Sequence, residues 1–380
     1  MFQIFKKIQL KPPKKTDVLI FDTTGSQLLI DLILPEIDYS VLPVRSEKYY
    51  LCPQIALKII KNIDYSDLIH SRNIKRHIFR SYLISCLEFI NPKIVLTFID
   101  NSPIFQWISR NYHGAEFFAI QNGLRNKYDL ETSLENSDKS ITRMTMPNFL
   151  CFGKCDVDNY KKYGHTIEIP HCVGSFKGSY YKYGMKKGAV KKEFDLCLVS
   201  QYRSEIFRAK EFSQFREASM KVHSFLNSYL EKKPLRACIA CRFSDPDEFE
   251  YYKAIFGNKV SIIQQTAQNI FSTYEAMDSS DVIITLNSTA ALDAFGWGKK
   301  VLFCNFSGDE IAEFFFRGPC SVQKMEFNEF ENALRSLQEM KYEDFLSLTE
   351  KDRHYMMNYD PNMPVNEYMR NIIIKTLKKK

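Results

Sequence analysis

The chain of 380 residues is missing several things that would place it quickly. No apolar run approaches the roughly 18–20 residues that a membrane helix needs. The opening stretch, MFQIFKKIQLKPPKK, carries lysines but no apolar core and no small-residue cleavage site, so a secretory signal is not expected. There is no G-x-x-x-x-G-K loop, no H-E-x-x-H and no G-x-S-x-G, which argues against a P-loop kinase, a zinc protease and an α/β-hydrolase. Low-complexity sequence is absent too. With 45% hydrophobic and 26% charged residues, the composition is that of a folded globular chain, long enough for two domains. Nor is there a basic core for nucleic acid. The net charge is +7, but residues 1–15 hold five Lys and residues 371–380 hold four, with no acid in either, so the body between them is about −2. Basic tails suit an anionic membrane surface, at about 1 kcal/mol per Lys near the lipid, or are simply solvated ends.

Cysteine, by contrast, is plentiful. Of the ten, Cys197 and Cys304 lie inside apolar runs, as buried free thiols do, and a reducing cytoplasm is expected. Cys238 and Cys241 form a C-x-x-C inside a strand-like run, without a second pair or a nearby His, so zinc is not expected.

Short β-like runs alternate with longer amphipathic segments, which implies α/β architecture with parallel sheets. The pattern runs twice. First-half strands are expected at 17–22, 39–44, 93–100, 115–120 and 147–152, with helices at 53–62, 74–90 and 103–112. Second-half strands are expected at 194–200, 235–241, 259–264, 281–286 and 299–306. Helices there are expected near 205–231, 246–256, 269–277, 288–297, 326–340 and 343–352. Residues 174–192, rich in Gly, Lys and Tyr and free of acid, break the pattern and read as an interdomain linker, mostly solvated or touching an anionic ligand. The implied layout is a basic tail over 1–16, a first domain over 17–173, that linker, a second domain over 193–360 and a basic-ended segment over 361–380.

In open parallel sheets, ligands bind beyond the carboxyl ends of the strands. Here those ends are polar. The first half offers Asp22-Thr23-Thr24-Gly25, Asp100-Asn101-Ser102 and Gln121-Asn122-Gly123-Leu124-Arg125. The second offers Ser200-Gln201-Tyr202-Arg203, then Arg242 after its strand, then Asn287-Ser288-Thr289. Helix capping explains one such residue per turn, less well the amides and arginines beside them. A helix starting at Asn287 or Ser288 presents free N–H groups and partial positive charge, which fits a phosphate. Asp293 shares a face with Thr289, about 6 Å away, where a carboxylate can accept ribose hydroxyls. Arg203, Arg242 and Arg125 are candidates to face a leaving phosphate. Asp22 and Asp100 are candidates for a base, and each can also be read as a cap, Asp100-Asn101-Ser102 before Pro103 more so. His171 is a weaker candidate.

The stretch TYEAMDSSDVIITLNSTAALDAFGWGKKVLFCNF (273–306) resembles the donor-nucleotide segment of GT-B glycosyltransferases. The stretches KIVLTFIDNSPIFQWISRNYHGAEFFAIQNGLRN (93–126) and FDLCLVSQYR (194–203) resemble bacterial surface-carbohydrate biosynthesis proteins of capsule and lipopolysaccharide. These are distantly similar to CMP-Kdo transferases and CDP-glycerol glycerophosphotransferases. The resemblance implies a GT-B fold of two facing Rossmann-like domains with an interdomain cleft, acceptor mainly on the first and nucleotide-sugar mainly on the second. It implies donor-phosphate contacts from Asn287, Ser288 and Thr289 and a ribose contact from Asp293, while position at the strand ends adds Ser200, Gln201 and Arg242 to the donor side and Thr24, Gly25, Asn101, Gln121, Asn122 and Arg125 to the acceptor side. Asp22, Asp100 and Arg203 would carry catalysis. Many GT-B enzymes have Glu where Asp293 stands, which puts the ribose role in doubt. A long helix crossing back to the first domain is not obvious, although 364–377 could serve. The expected function is metal-independent transfer of a sugar from a nucleotide-activated donor, CMP-linked donors among the candidates, to a glycan acceptor, lipid-linked acceptors among the options. The protein would be cytoplasmic, able to sit on the inner face of the membrane. A nucleotide-sugar epimerase-hydrolase and a non-catalytic scaffold subunit are the alternatives. Asp156-Val157-Asp158 and Asp245-Pro246-Asp247 match D-x-D, but both sit at helix starts and read as caps rather than metal ligands.

Overall fold

The computed structural model describes residues 7–33, 35–45, 47–65, 74–125, 129–131, 143–185, 190–242, 246–306 and 319–379. The strands are β1 (Ile8–Gln9), β2 (Val18–Phe21), β3 (Tyr39–Leu42), β4 (Tyr49–Tyr50), β5 (Ile94–Thr97), β6 (Glu116–Ile120), β7 (Thr145–Cys151) and β8 (Thr166–Cys172). They continue with β9 (Phe194–Val199), β10 (Ala237–Ala240), β11 (Val260–Ile263), β12 (Ser280–Thr285), β13 (Lys300–Cys304) and β14 (Ser321–Val322). The main helices are α1 (Ser26–Leu32), α2 (Pro53–Asn62), α3 (Ile74–Ile90), α4 (Pro103–Asn111), α5 (Lys154–Lys162) and α6 (Ser213–Lys232). After them come α7 (Pro246–Phe256), α8 (Ser272–Asp278), α9 (Thr289–Gly296), α10 (Phe327–Glu339), α11 (Tyr342–Met356) and α12 (Val365–Lys379).

Two all-parallel sheets result. One has strand order β3-β2-β5-β6-β7-β8 and the other β11-β10-β9-β12-β13-β14. Central strands such as VLIF, IVLT and ACIA are buried at every residue and apolar but for Thr97, because helices cover both faces. Pro53 and Pro103 start α2 and α4, where a missing N–H costs nothing, and Ser102 Oγ accepts from Phe105 N at the second of these. All ten cysteines are free thiols, Cys238 and Cys241 fully buried in and beside β10.

Three expectations change. β8 was not anticipated: its TIEIPHC is an edge strand, largely exposed, and Pro170 is tolerated only at such an edge. The single helix expected over 205–231 is broken, because Ala209 takes an extended conformation before the turn that opens α6. Within the stretch 174–192, residues 174–185 are no solvated connector, whereas Val190, Lys191 and Lys192 are exposed. Phe176–Ser179 form one helical turn that runs into a wide turn over Tyr180–Gly184, and Phe176, Gly178, Ser179 and Tyr181 are buried.

Phe176 packs among the first domain's apolar residues, whereas Tyr181 stacks on Trp297 and Tyr274 of the second. The chain crosses back at 357–365. Asn358 N donates to Phe152 O at 2.8 Å, and Val365 N donates to Ser179 Oγ at 2.9 Å. Helix α12 then lays Val365, Met369 and Ile373 on the first domain, the return crossing that 364–377 was able to supply.

Candidate active site

The second sheet changes winding direction between β9 and β12, the crevice in which such folds hold ligands. Gln201 stitches that crevice. Its Oε1 accepts from Leu286 N at 3.1 Å and Asn287 N at 2.8 Å, and its Nε2 donates to Asn287 Oδ1. Asn287 is thereby aimed by β9 although it belongs to the β12 end. Ser200 is committed inward, donating to Glu248 and accepting from Tyr252 Oη at 2.9 Å. Helix α9 begins at Thr289. The Ser288 side chain makes no capping bond, so its hydroxyl stays available beside the first-turn amides. Thr289 Oγ1 accepts from Leu124 N of the first domain at 3.3 Å, and the two walls of the cleft meet there.

Cations gather on this side. Arg203 lies in the loop four residues past β9, Arg242 two residues past β10, and Lys177 reaches in from the crossing segment over the rings of Phe271 and Tyr274, at 5.6 and 5.4 Å. Desolvation lowers the Arg242 pKa, and Arg203 lowers it further. Desolvation also lowers Lys177, with Arg242 pushing the same way and Asp293 pulling against it. Like charges held this close favour an anion between them.

Asp293 does not line the cleft. It is 1% exposed, and its oxygens accept from Tyr274 Oη at 2.7 Å and Tyr359 Oη at 2.9 Å. Burial raises its pKa to about 6, against the lowering hydrogen bonds. Asp293 shares the face of Thr289 but lies one turn, about 6 Å, further along α9, below the cleft floor. The carboxylate ties α9 to Tyr359 on the return crossing, and Tyr359 Oη shares a hydrogen bond with Ser175 Oγ at 3.1 Å. In this structure the side chain is taken up by a structural knot and does not face the cleft.

On the facing side, the first sheet switches between β2 and β5. Asp22 has a left-handed backbone (φ 87°), accepts from Thr24 N at 3.0 Å and pairs with Arg45 Nε at 2.7 Å. Gly25 (φ 74°) closes this turn against Phe98, whose Cδ1 lies 2.4 Å from where a Cβ would sit. Thr24 and Asn101 are exposed at the two strand ends. Asp100 is wholly buried. Arg125 Nε donates to it at 3.0 Å and its Nη2 also donates, while Asn122 N donates at 3.2 Å. With both oxygens taken by a guanidinium and an amide, Asp100 is no free base. It shapes the 121–125 loop, and Arg125 is bound to it rather than reaching across the cleft. Gln121 is buried, joining Asp156 Oδ1 at 2.8 Å to Phe152 N at 3.0 Å. Asp156 also accepts from Gly153 N at 3.2 Å, the cap expected of it, whereas Asp245 lies outside the described residues. His171 is held by Tyr368 Oη at 2.8 Å under α12, away from both switch points. Among the described residues, no three of His, Cys, Asp and Glu gather at metal-ligand spacing.

Residues 118–373 match a family described as "putative O-antigen biosynthesis protein". The chain belongs to this family. The match takes in both switch-point walls of the second domain, the crossing segment and most of α12. No curated protein matches by sequence. Among solved structures, a glycosyltransferase from Rickettsia africae is similar, at 12% identity and TM-score 0.53 over 96% of this chain and all of that one. The UDP-GlcNAc 2-epimerase of Neisseria meningitidis is similar at 15% identity and TM-score 0.51, over 96% and 99% of the two chains. The wall teichoic acid polymerase TagF is similar at 10% identity and TM-score 0.51, over 96% and 90%. At such identities the likeness is one of fold, and the fold is GT-B.

For this O-antigen family chain, the residue that sequence reasoning missed is Lys177. The signal was there in the Lys-rich, acid-free crossing segment, but composition alone cannot distinguish a cation held over aromatic rings from one in solvent. Tyr274, Tyr359 and Ser175 were missed too, because they meet Asp293 from three separate parts of the chain.

Proposed function

We propose that this chain transfers a sugar from a nucleotide-activated donor to a glycan acceptor during surface-polysaccharide synthesis, without a metal ion. The observation that carries the proposal is a group of cations at one end of the second sheet: Arg203 after β9 at the switch point, Arg242 after β10, and Lys177 over the rings of Phe271 and Tyr274, with Arg242 near enough to feel Arg203 and to act on Lys177. A leaving phosphate or diphosphate needs charge stabilisation, and fixed cations plus oriented N–H groups supply it where a divalent ion otherwise would. Asn287, Ser288 and Thr289 contribute the polar edge of that subsite, with Gln201 and Ser200 positioning it from behind. The acceptor lies against the β2 and β5 ends, near Thr24, Gly25, Asn101 and Asn122. Of the two carboxylates considered as base, Asp22 is the better placed. Asp22 is itself buried, with one oxygen held by Thr24 N, but its other partner, Arg45, is an exposed side chain whose displacement would open Oδ2 to an incoming hydroxyl, whereas Asp100 is locked to Arg125. CMP-linked donors and a lipid-linked acceptor at the inner face of the membrane fit the family's O-antigen setting.

Thermal shift against CMP, CDP, UDP, GDP and dTDP tests the donor half. A ligand at 100 times its dissociation constant stabilises by about 2.7 kcal/mol. One nucleotide is expected to shift wild type and not Lys177→Ala/Arg242→Ala. A flat response from wild type to all five sinks the reading and favours a scaffold subunit. The shared fold of the 2-epimerase keeps a second reaction in view, and release of free sugar with no acceptor present is its mark.

A further inference from the structure

Helix α2 is apolar on two opposite faces. Ile55 and Ile59, one turn apart, face the first domain's core, and Ile55 is fully buried. Leu57 and Ile60 lie on the other side of the helix, 70% and 58% exposed. The neighbouring α3 repeats the arrangement. Leu83 and Leu87 are buried, while Ile74 and Ile78, on the opposite face and one turn apart, are exposed. Tyr65, also exposed, folds back to donate from its Oη to Ile60 O at 3.2 Å. Exposed apolar residues scattered singly need no explanation, but four on two packed helices, with Tyr65 folded back beside them, do.

The charge around them is one-sided. Residues 53–65 and 74–80 hold five Lys and Arg against a single acid, Asp64. Lys61 and Lys75 stand exposed among the apolar side chains. The basic amino-terminal segment is fastened to the same corner. β1 pairs in parallel with β4, and Leu51 N, two residues before α2, donates to Gln9 O at 3.0 Å. That pairing sets the exposed Leu10 beside the exposed Leu51, with Lys7 and Lys11 flanking it. A frayed tail would place its lysines anywhere, whereas this one adds them to the α2–α3 corner.

We propose that the β1–β4–α2–α3 corner is a membrane-docking face, with the surface of an anionic phospholipid bilayer as its occupant. Leu57, Ile60, Ile74 and Ile78 enter the acyl boundary while Lys61, Lys75 and the pinned amino-terminal lysines meet lipid phosphates. Mixed apolar and cationic side chains with almost no acid match an interface that is apolar beneath and anionic above. A protein partner's core contact would need no such cation excess. The inference rests on the peripheral-membrane part of the function proposed above and is independent of the transfer reaction.

Sedimentation of the full chain with phosphatidylcholine vesicles, with and without phosphatidylglycerol, is the test. Wild type is expected to bind only the phosphatidylglycerol vesicles, less tightly as salt rises. Lys61→Gln/Lys75→Gln is expected to bind about thirtyfold more weakly, roughly fivefold per lysine. Leu57→Gln/Ile60→Gln is expected to lose binding at every salt concentration, and an unchanged melting temperature checks that both variants fold. Variants that bind like wild type overturn this face and assign lipid contact to the other basic end, leaving the peripheral reading intact. No binding by wild type overturns both. A wild-type dimer in light scattering that Leu57→Gln/Ile60→Gln dissociates overturns the proposal in favour of a second copy as occupant. Absence of transferase activity leaves it untouched.

Discussion

Replacing Asp293 by Asn separates a structural carboxylate from a ligand-binding one. Burial lifts the Asp293 pKa from its ordinary 3.8 to about 6, so the folded protein holds this proton more tightly than the unfolded chain does. Stability from the protonated form is therefore complete below about pH 4 and is lost as pH rises through about 6. At about 1.4 kcal/mol per pH unit, the two-unit displacement amounts to about 3 kcal/mol. Asparagine keeps the geometry, since its amide accepts from one tyrosine hydroxyl and donates to the other. Relative to wild type, Asp293→Asn should thus gain about 3 kcal/mol between about pH 4 and pH 7.5. With an unfolding entropy of about 2.1 cal/mol/K per residue, the chain's total is about 0.8 kcal/mol/K, and the gain is a melting-point difference of about 4 °C. Thermal melts over that pH range measure it. Asp156, raised to about 6 mainly by burial, keeps its own slope in both proteins and serves as the internal reference. Melting curves that run parallel for wild type and variant across the range would refute the reasoning, and a variant that melts normally but no longer responds to nucleotide would return Asp293 to the ligand.

Asp100→Ala strands the nearly buried guanidinium of Arg125, and a loss of about 3–5 kcal/mol in denaturant unfolding is expected. Asp22→Asn should leave the melting temperature within a few degrees yet abolish transfer to acceptor, which a product assay with the cognate donor reads. Gly178→Ala places a Cβ 2.3 Å from Tyr359 Oη and 2.7 Å from Asp293 Cγ, so about 1–3 kcal/mol of overpacking is expected, with the pH slope of Asp293 altered as well.

The parallel-sheet strands were legible because each is a continuous apolar run bounded by turn residues, as in DVLIFD or DVIITL. Strand β8 was not, because an edge needs neither continuous hydrophobicity nor every N–H, and Pro170 masked it. The strand-end polar clusters were found from pattern alone, yet their division of labour was not. Asp100 and Asp293 look alike in sequence to cleft-facing acids. Their partners, Arg125 at 25 residues' distance and Tyr359 at 66, turn both inward, and nothing local announces that pairing. The crossing segment misled for a related reason. Its lysines suggested solvent, but its tyrosines and Phe176 decide its position, because aromatic area outweighs a few stems that can snorkel.

The two crossings of the chain between domains lie side by side. Gly174, in a left-handed turn (φ 82°), starts the first against the ring of Tyr359, which ends in the second. Two adjacent strands of backbone act as a door hung on two pins. Sliding and twisting of one domain over the other would stretch one crossing while slackening its neighbour. Rotation about the line through both strains neither, so opening of the cleft is expected to have a single degree of freedom. The hydroxyls gathered on Asp293 lie beside both crossings, and the Leu124–Thr289 hydrogen bond between the domains must break for that rotation to open the cleft.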